Sequence, residues 1–572
     1  MTKLLMTLAA LGLLLPVAAS GQAVRAPLVL YTDLLSGPNR GGENDNGAYL
    51  SIFGKNFGDP SGLGSTTKVF IGGVEVAGYL YLGPSQGRHD VEQITVQVGH
   101  LGNSAAGAAL AIEVRVGDRR SSSFTPQTFL VNPGRILFVS LTGDDATAVA
   151  GDIAHPWRHV QTSAGALTGV WGAARPGDVV VLRGGTWTDI GFGNPGRQYF
   201  VKFFSNSGTG ATGAEGSGPI SFTAYPGEKV VIHPPGKEVF GVIDGLNSGQ
   251  AFDAAGNPKY SQWITISSLV ITTGGINDGP VNLESRSNHW RVVNNDLSAP
   301  DAVGNRAAGV TGNGNHEAVL GNHIHDIAGV GSRGETLLDH GIYIDSGSDW
   351  ELAYNLIERI TGGSGIQLYN SGHVTPTIDN VSIHHNLVHD VAKHGLNIGD
   401  TSGAGILIWS NVVYNTAGGC WRNNSVNLQN AKVWNNTFYN CNTWGNDAAI
   451  WNDVKNAARP IRVDFRNNII CASAASAKYT GGEAGFTAAG VSTSGGNNLW
   501  CGGKGSASVR FDSNSVFADP KFVAADSKMP DFHLQNGSPA RASGDKVVKS
   551  MVISNYDFEC VAPGLAVDRG AY

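Results

Sequence analysis

Asp339-His340-Gly341-Ile342-Tyr343-Ile344-Asp345, Gly363-Ser364-Gly365-Ile366-Gln367-Leu368-Tyr369, Lys393-His394-Gly395-Leu396-Asn397-Ile398-Gly399 and Gly418-Gly419-Cys420-Trp421-Arg422-Asn423-Asn424 follow one another within the stretch Glu335 to Asn424. Aligned, they carry apolar residues in the fourth and sixth places, except that Asn423 takes the sixth place of the last. The fifth place holds Tyr343, Gln367, Asn397 and Arg422, and the seventh holds Asp345, Tyr369, Gly399 and Asn424. This period-two alternation is that of a strand with one buried and one open face. The phrases therefore predict successive rungs of one coil, and the open face is where chemistry is expected.

Working outward, an Asn at or just before a short apolar or β-branched run recurs at Asn295, Asn322, Asn355, Asn386, Asn411, Asn436 and Asn468, at intervals of 27, 33, 31, 25, 25 and 32 residues. Such irregular spacing fits coils whose strands are fixed while their loops vary, and it excludes heptads and helical repeats. Stacked amides hydrogen-bonding from rung to rung account for the Asn column.

The chain has 572 residues, 79 Gly, 23 Pro and 15% charged residues, which suits a small all-β body followed by a long repeat structure. Its net charge of -7 argues against nucleic acid as a partner. Met1-Thr2-Lys3, the apolar run Leu4 to Ala19 and small residues up to Ala23 have the order of a secretory signal over residues 1–23, too short to span a bilayer. A secreted or periplasmic, monomeric protein without a membrane span is expected. Export permits disulfides among Cys420, Cys441, Cys471, Cys501 and Cys560, which cannot all pair within one chain. Cys420, Cys441 and Cys471 fall on neighbouring coils, so either a staple between rungs or buried thiols would fit.

Residues 24–132 show short alternating runs at Ala48–Gly54, Lys68–Gly73, Val91–Val98 and Ala111–Val116, each a strand of a sandwich. The phrases Ile52-Phe53-Gly54-Lys55-Asn56-Phe57-Gly58 and Val69-Phe70-Ile71-Gly72-Gly73 resemble immunoglobulin-like domains of the IPT/TIG type. After a linker at Pro133-Gly134, residues 135–572 carry Phe138-Val139-Ser140, Gly143-Asp144-Asp145, His155-Pro156-Trp157 and Arg175-Pro176-Gly177-Asp178-Val179-Val180-Val181-Leu182-Arg183-Gly184-Gly185-Thr186-Trp187. These resemble the opening of right-handed parallel β-helix polysaccharide-active enzymes of the pectate-lyase-like superfamily. In that family a helix caps the first coil, which places a short cap between Gln161 and Ala174. Val516-Phe517-Ala518-Asp519-Pro520-Lys521-Phe522 and the closing Val567-Asp568-Arg569-Gly570-Ala571-Tyr572 resemble the family's end. The fold expected is all-β, a parallel β-helix preceded by a small sandwich. The resemblance leaves lyase, epimerase and hydrolase branches open, because one fold hosts many reactions.

On the open face the fifth column extends backwards to Asn282 and Thr311, and the seventh to Glu284. Aromatic, amide, acidic and guanidinium groups in one strip suit an extended sugar chain, so Arg333, Asp345, Gln367, Tyr369, Asn397, Trp421, Asn424 and Glu284 are candidate substrate contacts. Asp339-His340 and Lys393-His394 flank a rung bearing Gly363 and Ser364. A lyase acting on a uronate must neutralise the carboxylate, remove the C5 proton and protonate the leaving oxygen. Lys393 or His394 suits the base, Tyr343 or His340 the acid, and Arg422 with Arg333 the carboxylate. His340 and His394 would otherwise be turn residues bonded to backbone. A glycoside hydrolase would need two carboxyls across the bond, with Asp339, Asp345, Glu335, Glu284 and Asp400 as candidates. Asp345 and Asp349 could hold Ca²⁺, although their spacing matches no strong calcium loop. The expected function is cleavage of an anionic polysaccharide by β-elimination, with a hydrolase or a carbohydrate-binding fibre as alternatives.

Overall fold

The computed structural model describes residues 25–572 apart from 102–106, 124, 165–167, 195–196, 204–212, 236–240, 245–260, 274–278, 284–286, 301–306, 328–338, 371–377, 400–403, 426–427, 447, 453–460, 477, 482–490, 504–508, 510, 546–556 and 560–566. Three long parallel sheets dominate the described residues, with thirteen, twelve and ten strands. Consecutive strands of the chain pass from sheet to sheet, so each turn of the chain adds one strand to each, which is a right-handed parallel β-helix. The thirteen-strand sheet runs from Ile136–Val139 to Asp512–Ser513, and the twelve-strand sheet from Gly185–Trp187 to Val516–Phe517. The ten-strand sheet includes Ala308–Gly312, His340–Ile344, Ile366–Tyr369, Leu396–Gly399, Trp421–Asn423 and Ile450–Asn452.

Inward residues of all three sheets meet in one continuous core, in which Ile342, Ile366, Leu396, Trp421 and Ile450 form a single buried column. Full burial of each such aliphatic side chain contributes about 1.5–3 kcal/mol. At the bend between the thirteen- and twelve-strand sheets the Asn column forms a ladder. Each Oδ1 accepts both the backbone N–H and the side-chain Nδ2–H of the Asn one rung back, as Asn411 does from Asn386 at 3.0 Å each. The same pair of bonds links Asn295, Asn322, Asn355, Asn386, Asn411, Asn436, Asn468 and an eighth rung, Asn498, which the sequence spacing missed. The residues just before them, including Asn294, Tyr354, His385, Ser410, Asn435 and Asn467, have positive φ, the conformation this bend requires.

A five-residue helix, Gly169–Ala173, buries Val170 and Trp171 against the first coils, shorter than the cap the sequence allows. Residues 28–131 form a five-strand and a six-strand sheet, with Tyr49–Lys55, Thr67–Ile71, Glu92–Gln97 and Ala109–Val116 on the runs read from sequence. This body shares a core with the outward side chains Ile136, Phe138, Val179 and Val181 of the first rungs, so no loose tether separates the two. It continues along the outer face of the thirteen-strand sheet, where Tyr31 stacks on Tyr354 at 5.1 Å and the Arg291 guanidinium donates to the Thr32 carbonyl at 2.6 Å. The closing segment lies on the late rungs of the twelve-strand sheet, burying Phe522, Phe532, Phe558 and Ala571 on Val412, Ile469 and Leu499. Disulfides join Cys420 to Cys441 and Cys471 to Cys501, and Cys560 lies outside the described residues. No helix among the described residues is long and apolar enough to cross a membrane.

Candidate active site

Strand register decides which side chains share the open strip of the ten-strand sheet. Asn282, Thr311, Tyr343, Gln367, Asn397 and Arg422 are successive partners in the parallel ladder, in the order expected from sequence. The column continues beyond that reading to Trp451, which pairs with Arg422 and is half-buried. Continuing the alternation of the Cys420–Asn424 phrase into Ile450-Trp451-Asn452 is the signal that would have found it. Tyr369 pairs with Gly399 in the neighbouring outward column.

Neighbouring rungs stand about 4.8 Å apart, so long side chains from alternate rungs converge over a rung bearing small ones. Gly363 is such a place: a Cβ there would lie 2.1 Å from the Asp339 carbonyl oxygen and 2.6 Å from His340 Nδ1. His340 and His394 occupy equivalent positions two rungs apart and repeat one arrangement. His340 Nδ1 accepts the Ser364 N–H at 2.9 Å, and His394 Nδ1 accepts the Gly419 N–H at 3.1 Å. Gly418 repeats the close approach, its Cβ position lying 2.6 Å from His394 Nδ1. Both rings are buried, at 1% and 3% exposure. Burial, reinforced by the Lys393 ammonium, pushes the His340 pKa down to about 3. Burial, with the Arg422 and Lys393 charges, pushes His394 well below the ordinary histidine value. Both rings are therefore neutral at physiological pH, with Nδ1 as acceptor and the proton on Nε2. This is the backbone-bonded state foreseen as one reading of these histidines. The Lys393 charge acts on both rings.

The floor between them is made of amides. Asn397 Nδ2 donates to Gln367 Oε1 at 2.8 Å, while Asn397 Oδ1 is buried without a hydrogen-bond partner among the described residues. Asn424 Oδ1 is also buried and unpartnered. An orphaned buried carbonyl costs about 1–3 kcal/mol, so this floor is under-supplied with donors of the kind a sugar hydroxyl provides. On the adjoining rung the Tyr343 hydroxyl lies 3.2 Å from Asp345 Oδ1 and 3.3 Å from the Tyr369 carbonyl. Lys393, Arg422, Tyr343, Asp345 and Tyr369 are all half-buried.

Among the described residues, Trp421 and Asp339 do not join the strip. Trp421 is corrected: its fourth-place side chain points inward, is fully buried and packs edge-on to Phe465 at 5.0 Å. The buried Asp339 carboxylate accepts the Ala307 N–H of the preceding rung at 2.8 Å, which makes it a rung-to-rung cap. Asp349 is exposed and meets His316 and Asn380, while Asp345 meets the Tyr343 hydroxyl. Arg333, Glu335, Glu284 and Asp400 lie outside the described residues.

No protein-family model matches the chain, and no curated protein matches it. Among solved structures it is similar to a pectate lyase, with 15% identity, 76% of this chain and 96% of that one covered, and a TM-score of 0.49. It is also similar to XylC in complex with xylose, with 11% identity, 76% and 98% covered and a TM-score of 0.45. A Yersinia enterocolitica family 28 exopolygalacturonase gives 11% identity, 86% and 98% covered and a TM-score of 0.43. At such identities the reaction has to be read from this chain's own residues.

Proposed function

We propose that the protein is an exported enzyme that cleaves an acidic, uronate-containing polysaccharide by β-elimination on the open face of the ten-strand sheet. The observation that carries this reading is the placement of Lys393 and Arg422 on neighbouring rungs, over neutral histidines and an amide floor whose Asn397 Oδ1 has no donor. Two cations above uncharged groups favour an anionic chain, and the orphaned carbonyl asks for a hydroxyl.

In this reading the Arg422 guanidinium binds the uronate carboxylate and acidifies the adjacent C5–H. Lys393, once it has released its own proton to solvent, takes the C5 proton. The Tyr343 hydroxyl donates to the glycosidic oxygen as the C4–O bond breaks and a C4=C5 double bond forms. His340 and His394 cannot accept a proton at Nδ1 while those atoms hold backbone N–H groups, so they serve as Nε2–H donors that orient the sugar. The base thus falls to Lys393. In this reading the protein is exported, and the two disulfides fit an oxidising compartment.

Incubation with a panel of uronate polymers, following the ultraviolet absorbance of the unsaturated product, tests the proposal. New reducing ends without that absorbance would replace elimination by hydrolysis. Binding with no new ends on any polymer would identify a carbohydrate-binding fibre.

A further inference from the structure

A second cluster of histidines and carboxylates sits on a different sheet. Asp296 and His323 are register partners in the twelve-strand sheet, and Ser298 and His325 are partners two residues on. Two rings converge on one carboxylate: His325 Nε2 lies 3.0 Å from Asp296 Oδ1, and His323 Nδ1 lies 3.7 Å from Asp296 Oδ2. All three ligand atoms fall within 4.8 Å of one another. Ligands about 2.0–2.1 Å from a tetrahedral metal stand roughly 3.3 Å apart, and the two distances bracket that value.

The other nitrogen of each ring is already oriented. His325 Nδ1 faces Asp326 Oδ2 at 2.7 Å, and His323 Nε2 faces Glu358 Oε1 at 3.0 Å. A metal-bound imidazole characteristically donates its second N–H to a carboxylate, which fixes the tautomer and raises ligand basicity. Asp326 is itself gripped by Arg359 through bonds of 2.8 and 3.0 Å.

We propose that Asp296, His323 and His325 form a binding site for a divalent cation of the zinc class, with Asp326 and Glu358 orienting the two rings. Nitrogen-rich donors suit borderline cations rather than Ca²⁺ or Mg²⁺, which take oxygen ligands. The two rings stack with centroids 4.1 Å apart, which holds them side by side next to the Asp296 carboxylate. Three protein ligands leave a fourth position open. Asp296 also lines a hollow of about 610 Å³, together with Tyr49, Tyr81, Tyr225 and Asn294, between the two-sheet body and the coil.

Equilibrium dialysis of the tag-free full-length secreted protein against Zn²⁺, read by metal analysis, is the test. One equivalent per chain is expected, with a Co²⁺ derivative showing the strong visible absorption of a four-coordinate site. Asp296→Asn and His325→Gln should each weaken binding by more than about 100-fold, and Glu358→Gln by about 10–100-fold. Circular dichroism of the metal-free variants checks that the coil is retained. Absence of stoichiometric binding by the unsubstituted protein would overturn the site, as would equal binding by folded Asp296→Asn and His325→Gln chains.

Discussion

Histidines on two outer faces of the same coil are in opposite states. On the ten-strand sheet, His340 and His394 receive backbone N–H groups, are buried beside cations, and are held neutral. On the twelve-strand sheet, burial opposes charge on His323 and His389, but hydrogen bonds to carboxylates outweigh it and hold both pKa values up. The partners' carboxyls move the other way: hydrogen bonds from His323 and His389 pull Glu358 down, and at Asp296 the bonds from His323 and His325 outweigh the cost of burial. What decides is the group offered by the neighbouring rung, an amide on one face and an acid on the other. A coil can thus carry an uncharged-histidine strip and a carboxylate-bonded histidine cluster on a common core, because each outward column is set independently of the others.

The largest effect should come from the strip. Lys393→Ala is expected to lower turnover on the best uronate polymer by about 10³-fold, within the usual range for loss of a general base, with an unchanged melting temperature. Arg359→Ala, on the opposite face, should leave turnover within about twofold, as surface changes near 0.5 kcal/mol do. Equal losses in the two variants would erase the functional distinction between the faces.

That distinction was only half legible in the sequence. The strip was readable because Tyr343, Gln367, Asn397 and Arg422 recur in the fifth place of aligned phrases, and parallel pairing without register shifts keeps aligned places in one column. The same alternation sends Trp421 inward, against its reading as a sugar contact. The histidine cluster was not legible because Asp296 and Glu358 lie 27 and 35 residues from His323, in other phrases, and meet it only through sheet register. The neutrality of His340 was equally hidden: its Nδ1 partner is the N–H of Ser364, a backbone group that no residue type announces. The Asn ladder was legible since both donor and acceptor belong to the repeated side chain.

That ladder belongs to neither face, so breaking it should cost stability without shifting their difference. Asn386→Ala removes its Nδ2 bond to the Leu352 carbonyl at 2.8 Å and the bonds joining it to Asn355 and Asn411. A loss of about 3 kcal/mol is expected from the stranded polar groups, measured by denaturant unfolding. Turnover per folded molecule should persist; a loss of activity in the folded fraction would show that the interior ladder positions the strip.

Acid should separate the faces more gently. Because His340 is depressed to about 3 in the folded chain, the unfolded chain binds more protons below its ordinary pKa of about 6.5. Stability therefore falls as pH drops from about 6.5 toward 3, by roughly 2 kcal/mol for this ring at pH 5, taking 1.5 units at 1.36 kcal/mol each. Lys393 faces the ring and opposes its protonation, so Lys393→Met should flatten this slope at the same time as it removes turnover. An unchanged slope would mean that the ammonium does not act on His340.

The smallest effect tests geometry within the strip rather than its charge. Arg422→Lys keeps the positive charge but replaces a planar fork by a point donor, and a carboxylate held in two parallel bonds loses one of them. About a tenfold fall in kcat/KM is expected, near 1.4 kcal/mol, carried mainly by KM if the guanidinium binds substrate and transition state alike. Arg422 also helps keep His394 neutral, and an ammonium at this position preserves that influence, so the pH profile should not move. A tenfold fall with an unmoved profile assigns Arg422 to the substrate carboxylate. A moved profile with full activity at its new optimum would instead make Arg422 a group that sets the state of His394, and the carboxylate would then have to be bound elsewhere on the strip.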